Sequence, residues 1–243
     1  MGWTSEKKAV QNLLTAFKYL TGWGRFASAQ PSGELIGAAA AYFPVVGLVL
    51  GLLLAVSNYL LVTYLHPEIL SVVLITVLII ATGGIHLEGV KQTFGPVAPE
   101  APTAYSRNES LGFVAIVLVI FFKVAAADSM DEKLTLSLFL TPVLARWALV
   151  IFMYGCTERC DKTARLIAEN VRLWHLIITT LATLTLAVYL LGRKGLWIGL
   201  LLSLFVLSIR TLLHRRQAFL THDNFGAIVE LGEVFSLLLL ASI

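Results

Sequence analysis

Five ionisable side chains stand inside stretches of sequence that are otherwise apolar: Lys123, Arg146, Arg210, Glu230 and Glu233. An ionised group at mid-membrane is costly, so such residues face a cavity or a partner. Glu230 and Glu233 are three apart, which sets them on one helix face, within two turns of Asp223. Arg146 lies toward the same end of its own stretch. Two carboxylates against one guanidinium leave an excess negative charge that a cation could fill. A shared pocket is therefore one reading, and an interhelical salt bridge that sets packing is the other. Lys123 falls near the opposite end of its stretch and is expected to snorkel to the interface. Glycines gather near the same helix ends, Gly83, Gly84, Gly89, Gly95, Gly112, Gly226 and Gly232. A missing Cβ there lets backbone approach backbone or a phosphate, although helix packing is the simpler reading for any one of them.

The elements that must carry these residues are membrane helices. With 58% hydrophobic and 14% charged residues over 243 positions and a mean hydropathy of +0.83, the chain is not a water-soluble globule. Seven apolar blocks, near 35–65, 69–87, 111–127, 133–154, 173–191, 195–213 and 226–243, are long enough to cross a hydrocarbon layer. Ahead of them Val10, Leu13, Leu14 and Phe17 share one helical face and Lys7, Lys8, Gln11 and Lys18 the other, the pattern of a helix lying in the interface. The fold expected is all-α and polytopic, a single membrane domain over 1–243 with an interfacial helix in 1–30 and a bundle over 35–243. The amphipathic start lacks a continuous apolar core and cleavage site, so no cleaved signal peptide is expected.

Charge orients the bundle. With the N-terminus inside, the inner segments hold Lys7, Lys8, Lys18, Arg25, Lys91, Arg107, Arg159, Lys162, Arg165, Arg172, Arg215 and Arg216, against Lys133, Arg193 and Lys194 outside. The positive-inside rule then puts the N-terminus in the cytoplasm of a cell (inner) membrane. The loops 88–110, 155–172 and 214–225 share that face, where any site is expected. The mildly basic balance is juxtamembrane charge, so no nucleic-acid partner is expected. Cys156 and Cys160 support neither a disulfide framework nor a four-ligand zinc site; four apart, they would share a helix face as packing residues.

The run Gly83-Gly84-Ile85-His86-Leu87-Glu88-Gly89 resembles the signature of the cobalamin synthase family, the adenosylcobinamide-GDP ribazoletransferases, in which a Gly-Gly-x-His-Leu-Asp-Gly run leads into further aspartates. Phe43-Pro44-Val45-Val46-Gly47 with Leu50-Gly51 is similar to the family's first-span motif. Arg146 falls where the family has an arginine in its fourth span. Thr221-His222-Asp223 through Gly226-Ala227 to Glu230-Leu231-Gly232-Glu233 resembles its C-terminal segment. The resemblance implies a membrane transferase that joins α-ribazole, or its 5′-phosphate, to adenosylcobinamide-GDP with release of GMP, using Mg²⁺ to neutralise the diphosphate. It implies Glu88, Asp223 and Arg146 as catalytic residues and Glu88, Asp223 and Glu230 as metal ligands. His86, Gln92, Asn108 and Glu233 would meet the substrate.

The chain departs from that pattern where the acids should be. Glu88 replaces the first aspartate, Gln92 and Gly95 replace two later ones, Asn108-Glu109 replaces an Asp-Ser pair, and His222 replaces a glycine. Mg²⁺ binding is therefore expected to be weak or absent, because affinity follows the number of charged oxygens. The alternative is a catalytically silent relative serving as a structural or interaction subunit of a membrane complex, with other membrane proteins or further copies of itself as partners. A third reading is a carrier or phosphotransferase for another diphosphate or isoprenoid substrate.

Overall fold

The computed structural model describes residues 2–26, 31–95, 102–130, 132–217 and 219–242; the side chains of 2–5, 25–26 and 102–109 are not among those described. Helices account for nearly all of it: α1 (Gly2–Leu20), α2 (Gly33–Ala38), α3 (Phe43–Leu61), α4 (Pro67–Thr82), α5 (Ile85–Phe94), α6 (Pro102–Asp128), α7 (Leu134–Met153), α8 (Lys162–Glu169), α9 (Leu173–Leu191), α10 (Arg193–Arg216) and α11 (His222–Ala241). Among the described residues there is no strand beyond an isolated bridge between Cys160 and Leu220. The all-α polytopic expectation holds. Among the described residues six helices are long and apolar enough to cross a membrane, or up to seven if the bent pair α4–α5 is counted as one span.

That bent pair corrects the block 69–87. Its helix stops at Thr82 because Gly83 and Gly84 both take left-handed backbone, each at φ 65°, a conformation that costs glycine little. The amides of Gly83 and Gly84 bond back to the carbonyls of Ile80 and Ile79, closing the helix as such a left-handed cap does. The chain then leaves at 91° as α5. The expected loop 88–110 is thus largely helix, in α5 and the start of α6. The loop 155–172 contains α8, started by Asp161 accepting from the Ala164 amide at 2.6 Å. The last helix starts at His222, not 226, because Thr221 and Asn224 cap each other reciprocally.

Buried α7 forms the centre, and glycine decides how closely its neighbours approach. A Cβ at Gly47 would lie 2.6 Å from the Pro142 carbonyl, and one at Gly51 would collide with that of Phe139, so α3 lies directly on the α7 backbone. The same device joins α5 to α11: a Cβ on Gly89 would come within 2.5 Å of the Asp223 carbonyl. Cys156 and Cys160 lie in the non-helical connection between α7 and α8 rather than on one helix, yet their sulfurs are 3.2 Å apart and both are buried. Burial, then the hydrogen bond to Cys156, pushes the Cys160 thiol up to about 12.

Candidate functional site

The end of α1, the start of α5 and the start of α11 meet at one end of the bundle around a cleft of about 280 Å³. The glycine crossing of α5 on α11 brings Glu88 and Asp223 to its wall together, close enough that the charge of Glu88 acts on Asp223. Glu88 is half exposed and accepts from Gln92 Nε2 at 2.7 Å and from Lys91 Nζ at 3.3 Å, both on its own helix. His222 Nε2 stands 3.5 Å from Asp223.

His86 also lines the cleft but is buried, and its Nε2 meets the Leu20 carbonyl at 3.3 Å. A carbonyl can only accept, so Nε2 carries the proton in this contact. That bond ties α5 to the end of α1. Gln92, expected at the substrate, uses its amide nitrogen to hold Glu88 and is not part of the cleft wall. The side chain of Asn108 lies outside the described residues.

The intramembrane charges form a second, deeper group. Lys123, Arg146, Glu230 and Glu233 are each at most 2% exposed. Lys123 Nζ bonds Glu230 Oε2 at 2.5 Å and also reaches Glu233, which takes a further bond from Arg146 Nη1. This corrects the snorkelling expected of Lys123. Hydropathy gives only depth along α6, whereas the face of the helix that carries Lys123 is turned to α11. It also removes the excess negative charge: two cations meet two carboxylates, and the cation-filled pocket gives way to an ion-pair network. Glu230, expected as the deep metal ligand, and Glu233, expected at the substrate, are engaged by Lys123 and Arg146, and neither lines the cleft; nor does Arg146. Among the described residues no three His, Cys, Asp or Glu side chains gather as a metal-holding group.

Among the contributors to the cleft missed by sequence reasoning are Lys18 and Tyr19 from α1, Leu149 from α7 and Phe225 from α11. Lys18 is exposed and makes no ion pair among the described residues. Its only sequence signal is that it is the last lysine on the polar face of α1. Tyr19 stacks on Phe43 with centroids 5.9 Å apart. Burial, then the charge of Asp223, pushes its phenol above the usual tyrosine range, so it stays protonated.

Comparison with known proteins places this geometry in context. The model of a family described as cobalamin-5-phosphate synthase matches residues 12–241. An adenosylcobinamide-GDP ribazoletransferase of Geotalea daltonii is 28% identical over 218 residues, covering 86% of this chain and 88% of its own. One of Clostridium tetani is 26% identical over 247 residues, covering 97% and 98%. One of Pseudomonas syringae is 30% identical over 222 residues, covering 87% and 90%. No solved structure matches.

Proposed function

The chain belongs to the cobalamin-5-phosphate synthase family, and from that premise we propose that it is a membrane transferase joining α-ribazole, or its 5′-phosphate, to adenosylcobinamide-GDP. A ribazole hydroxyl oxygen forms a bond to the phosphorus on the cobinamide side. The bridging oxygen of the diphosphate leaves with GMP, and the hydroxyl proton passes to an acceptor in the cleft or to water.

The observation that carries this reading is the convergence of Glu88 and Asp223 on one cleft wall with the Lys18 side chain beside them. Two carboxylates do not make a cage for a metal on their own. They do fit Mg²⁺, which is commonly held by one or two carboxylates plus the phosphates of its substrate. Glu88 and Asp223 would hold it, and when bound it neutralises the diphosphate and polarises its oxygens. Lys91 and Gln92 fix the Glu88 carboxylate. Lys18 sets a positive charge against the diphosphate, and the protonated Tyr19 phenol offers it a donor. His86 holds α5 against α1 and so fixes the width of the cleft.

The charge distribution supports a cytoplasmic N-terminus and, with it, a cleft that opens on the cytoplasmic face of the cell membrane. Matches along nearly the whole chain to named transferases favour an enzyme over a silent structural subunit.

The test is transfer by purified protein in liposomes with adenosylcobinamide-GDP, α-ribazole and Mg²⁺. Glu88→Gln and Asp223→Asn should each lower kcat/KM by at least about a hundredfold. Undiminished turnover in both variants would sink the reading.

A further inference from the structure

A second polar pocket opens at the same end of the bundle and shares no lining residue with the cleft. About 290 Å³ in volume, it lies between the connection after α7 and the last turns of α10 and is walled by Gly155, Thr157, Glu158, Arg159, Arg210 and His214. The wall is built, not a chance gathering of loose side chains. Arg210 donates from Nη1 to the Tyr154 carbonyl at 2.8 Å and from Nη2 to the Gly155 carbonyl at 2.6 Å. The connection is also clamped to the segment before α11, with the Leu220 amide on the Arg159 carbonyl at 2.7 Å and the Asp161 amide on the Leu220 carbonyl at 2.8 Å.

Two features of this pocket are unexplained by packing. Arg159 is the one non-glycine residue with positive φ among those described, at 53°, a conformation an arginine adopts at a cost. Its side chain is exposed and makes no ion pair with Glu158 or any other described carboxylate. Two arginines thus share a polar recess beside the last turns of α10, with one carboxylate in the wall.

We propose that this pocket binds a phosphate group, carried either by an anionic lipid headgroup or by a soluble phosphate ester. Arginine presents several N–H donors in a planar fork suited to phosphate oxygens. Basic pockets between helices at the cytoplasmic surface are a recurrent form of headgroup site. The strained Arg159 backbone holds one guanidinium at the mouth, while Arg210, anchored through the two carbonyls, adds positive charge from the wall.

The experiment is thermal unfolding of the purified full chain in a neutral detergent, titrated separately with short-chain phosphatidylglycerol, short-chain phosphatidylcholine, glycerol phosphate and inorganic phosphate. Arg159→Gly is the informative variant, because glycine suits the positive φ and keeps the backbone bond to Leu220 while removing the cation. Arg216→Gln is the control for general surface charge. Phosphatidylglycerol or one of the soluble phosphates should raise the unfolding midpoint of the wild type where phosphatidylcholine does not. Arg159→Gly should raise the half-saturating concentration at least about tenfold, the loss expected for one charge-assisted contact, with Arg216→Gln unchanged. Stabilisation by the lipid alone identifies the headgroup as the source; equal stabilisation by glycerol phosphate identifies a soluble ester. If no phosphate compound outperforms phosphatidylcholine, or if Arg216→Gln loses as much as Arg159→Gly, the site does not exist.

Discussion

Lys123 on α6 reaches Glu230 on α11, Nζ to Oε2 at 2.5 Å, with both side chains sealed from solvent. Removing one member of such a pair leaves the other charge buried and uncompensated, which costs about 3–5 kcal/mol. Lys123→Ala should therefore lower the unfolding midpoint in detergent strongly, and Lys123→Met combined with Glu230→Gln should recover much of the loss. Arg146→Lys should be milder than Arg146→Ala, because only Nη1 of that guanidinium meets Glu233, while Nε and Nη2 find no hydrogen-bond partner among the described residues. Equal midpoints for wild type and Lys123→Ala would show that the network contributes nothing.

Gly89 and Gly84 should fail for different reasons. Alanine at Gly89 forces α5 away from the Asp223 carbonyl, a small-to-large change costing about 1–3 kcal/mol, and it should reduce transfer by separating Glu88 from Asp223. Alanine at Gly84 meets no neighbour but is strained at φ 65°, about 1 kcal/mol, and should leave more activity. Parallel assays and melting curves of the two variants decide it.

Lys18 is expected to act on binding. Lys18→Ala should raise KM for the GDP-bearing substrate about tenfold with a smaller change in kcat, and Lys18→Arg should restore most of it. Steady-state kinetics with an unchanged KM in Lys18→Ala would leave Lys18 a surface cation.

Restoring acids at the two replaced positions should not be equivalent. Gln92 lies on the accessible side of α5 and Gln92→Asp should fold, whereas a Cβ at Gly95 would stand 2.7 Å from the Lys91 carbonyl, so Gly95→Asp must disturb the end of the helix. Isothermal titration with Mg²⁺ and substrate should find tighter metal binding in Gln92→Asp alone than in the double variant.

The Cys160 thiol, pushed up to about 12, should resist maleimide at pH 7.5. Well below its pKa the thiolate fraction grows about tenfold per pH unit, so labelling followed by mass spectrometry should accelerate steeply toward pH 9.5. Rapid labelling at neutral pH would contradict the buried placement.

The existence of most spans was legible in the sequence, and direction around each helix was not. The spans and the common end shared by Glu88 and Asp223 follow from hydropathy and charge, because both vary along the chain. The pairing of Lys123 with Glu230 and Glu233 depends on which face of α6 meets α11, and an almost uniformly apolar helix carries no amphipathic signal to reveal it. The missing Cβ at Gly83-Gly84 suggests a close backbone approach or helix packing, yet the backbone there sets a 91° bend that hydropathy averages away. Lys18 was hidden because its pattern describes an interfacial helix equally well.

The ion-pair network also joins residues that are far apart in chain order. Synthesis runs from the N-terminus, so Lys123 and Arg146 enter the bilayer before Glu230 and Glu233 exist. Until α11 arrives, the nascent bundle holds two cations with no counter-charge from that helix, a state the membrane disfavours. The last helix therefore closes the bundle electrostatically as well as by packing, bringing the carboxylates that Lys123 and Arg146 face in the finished structure.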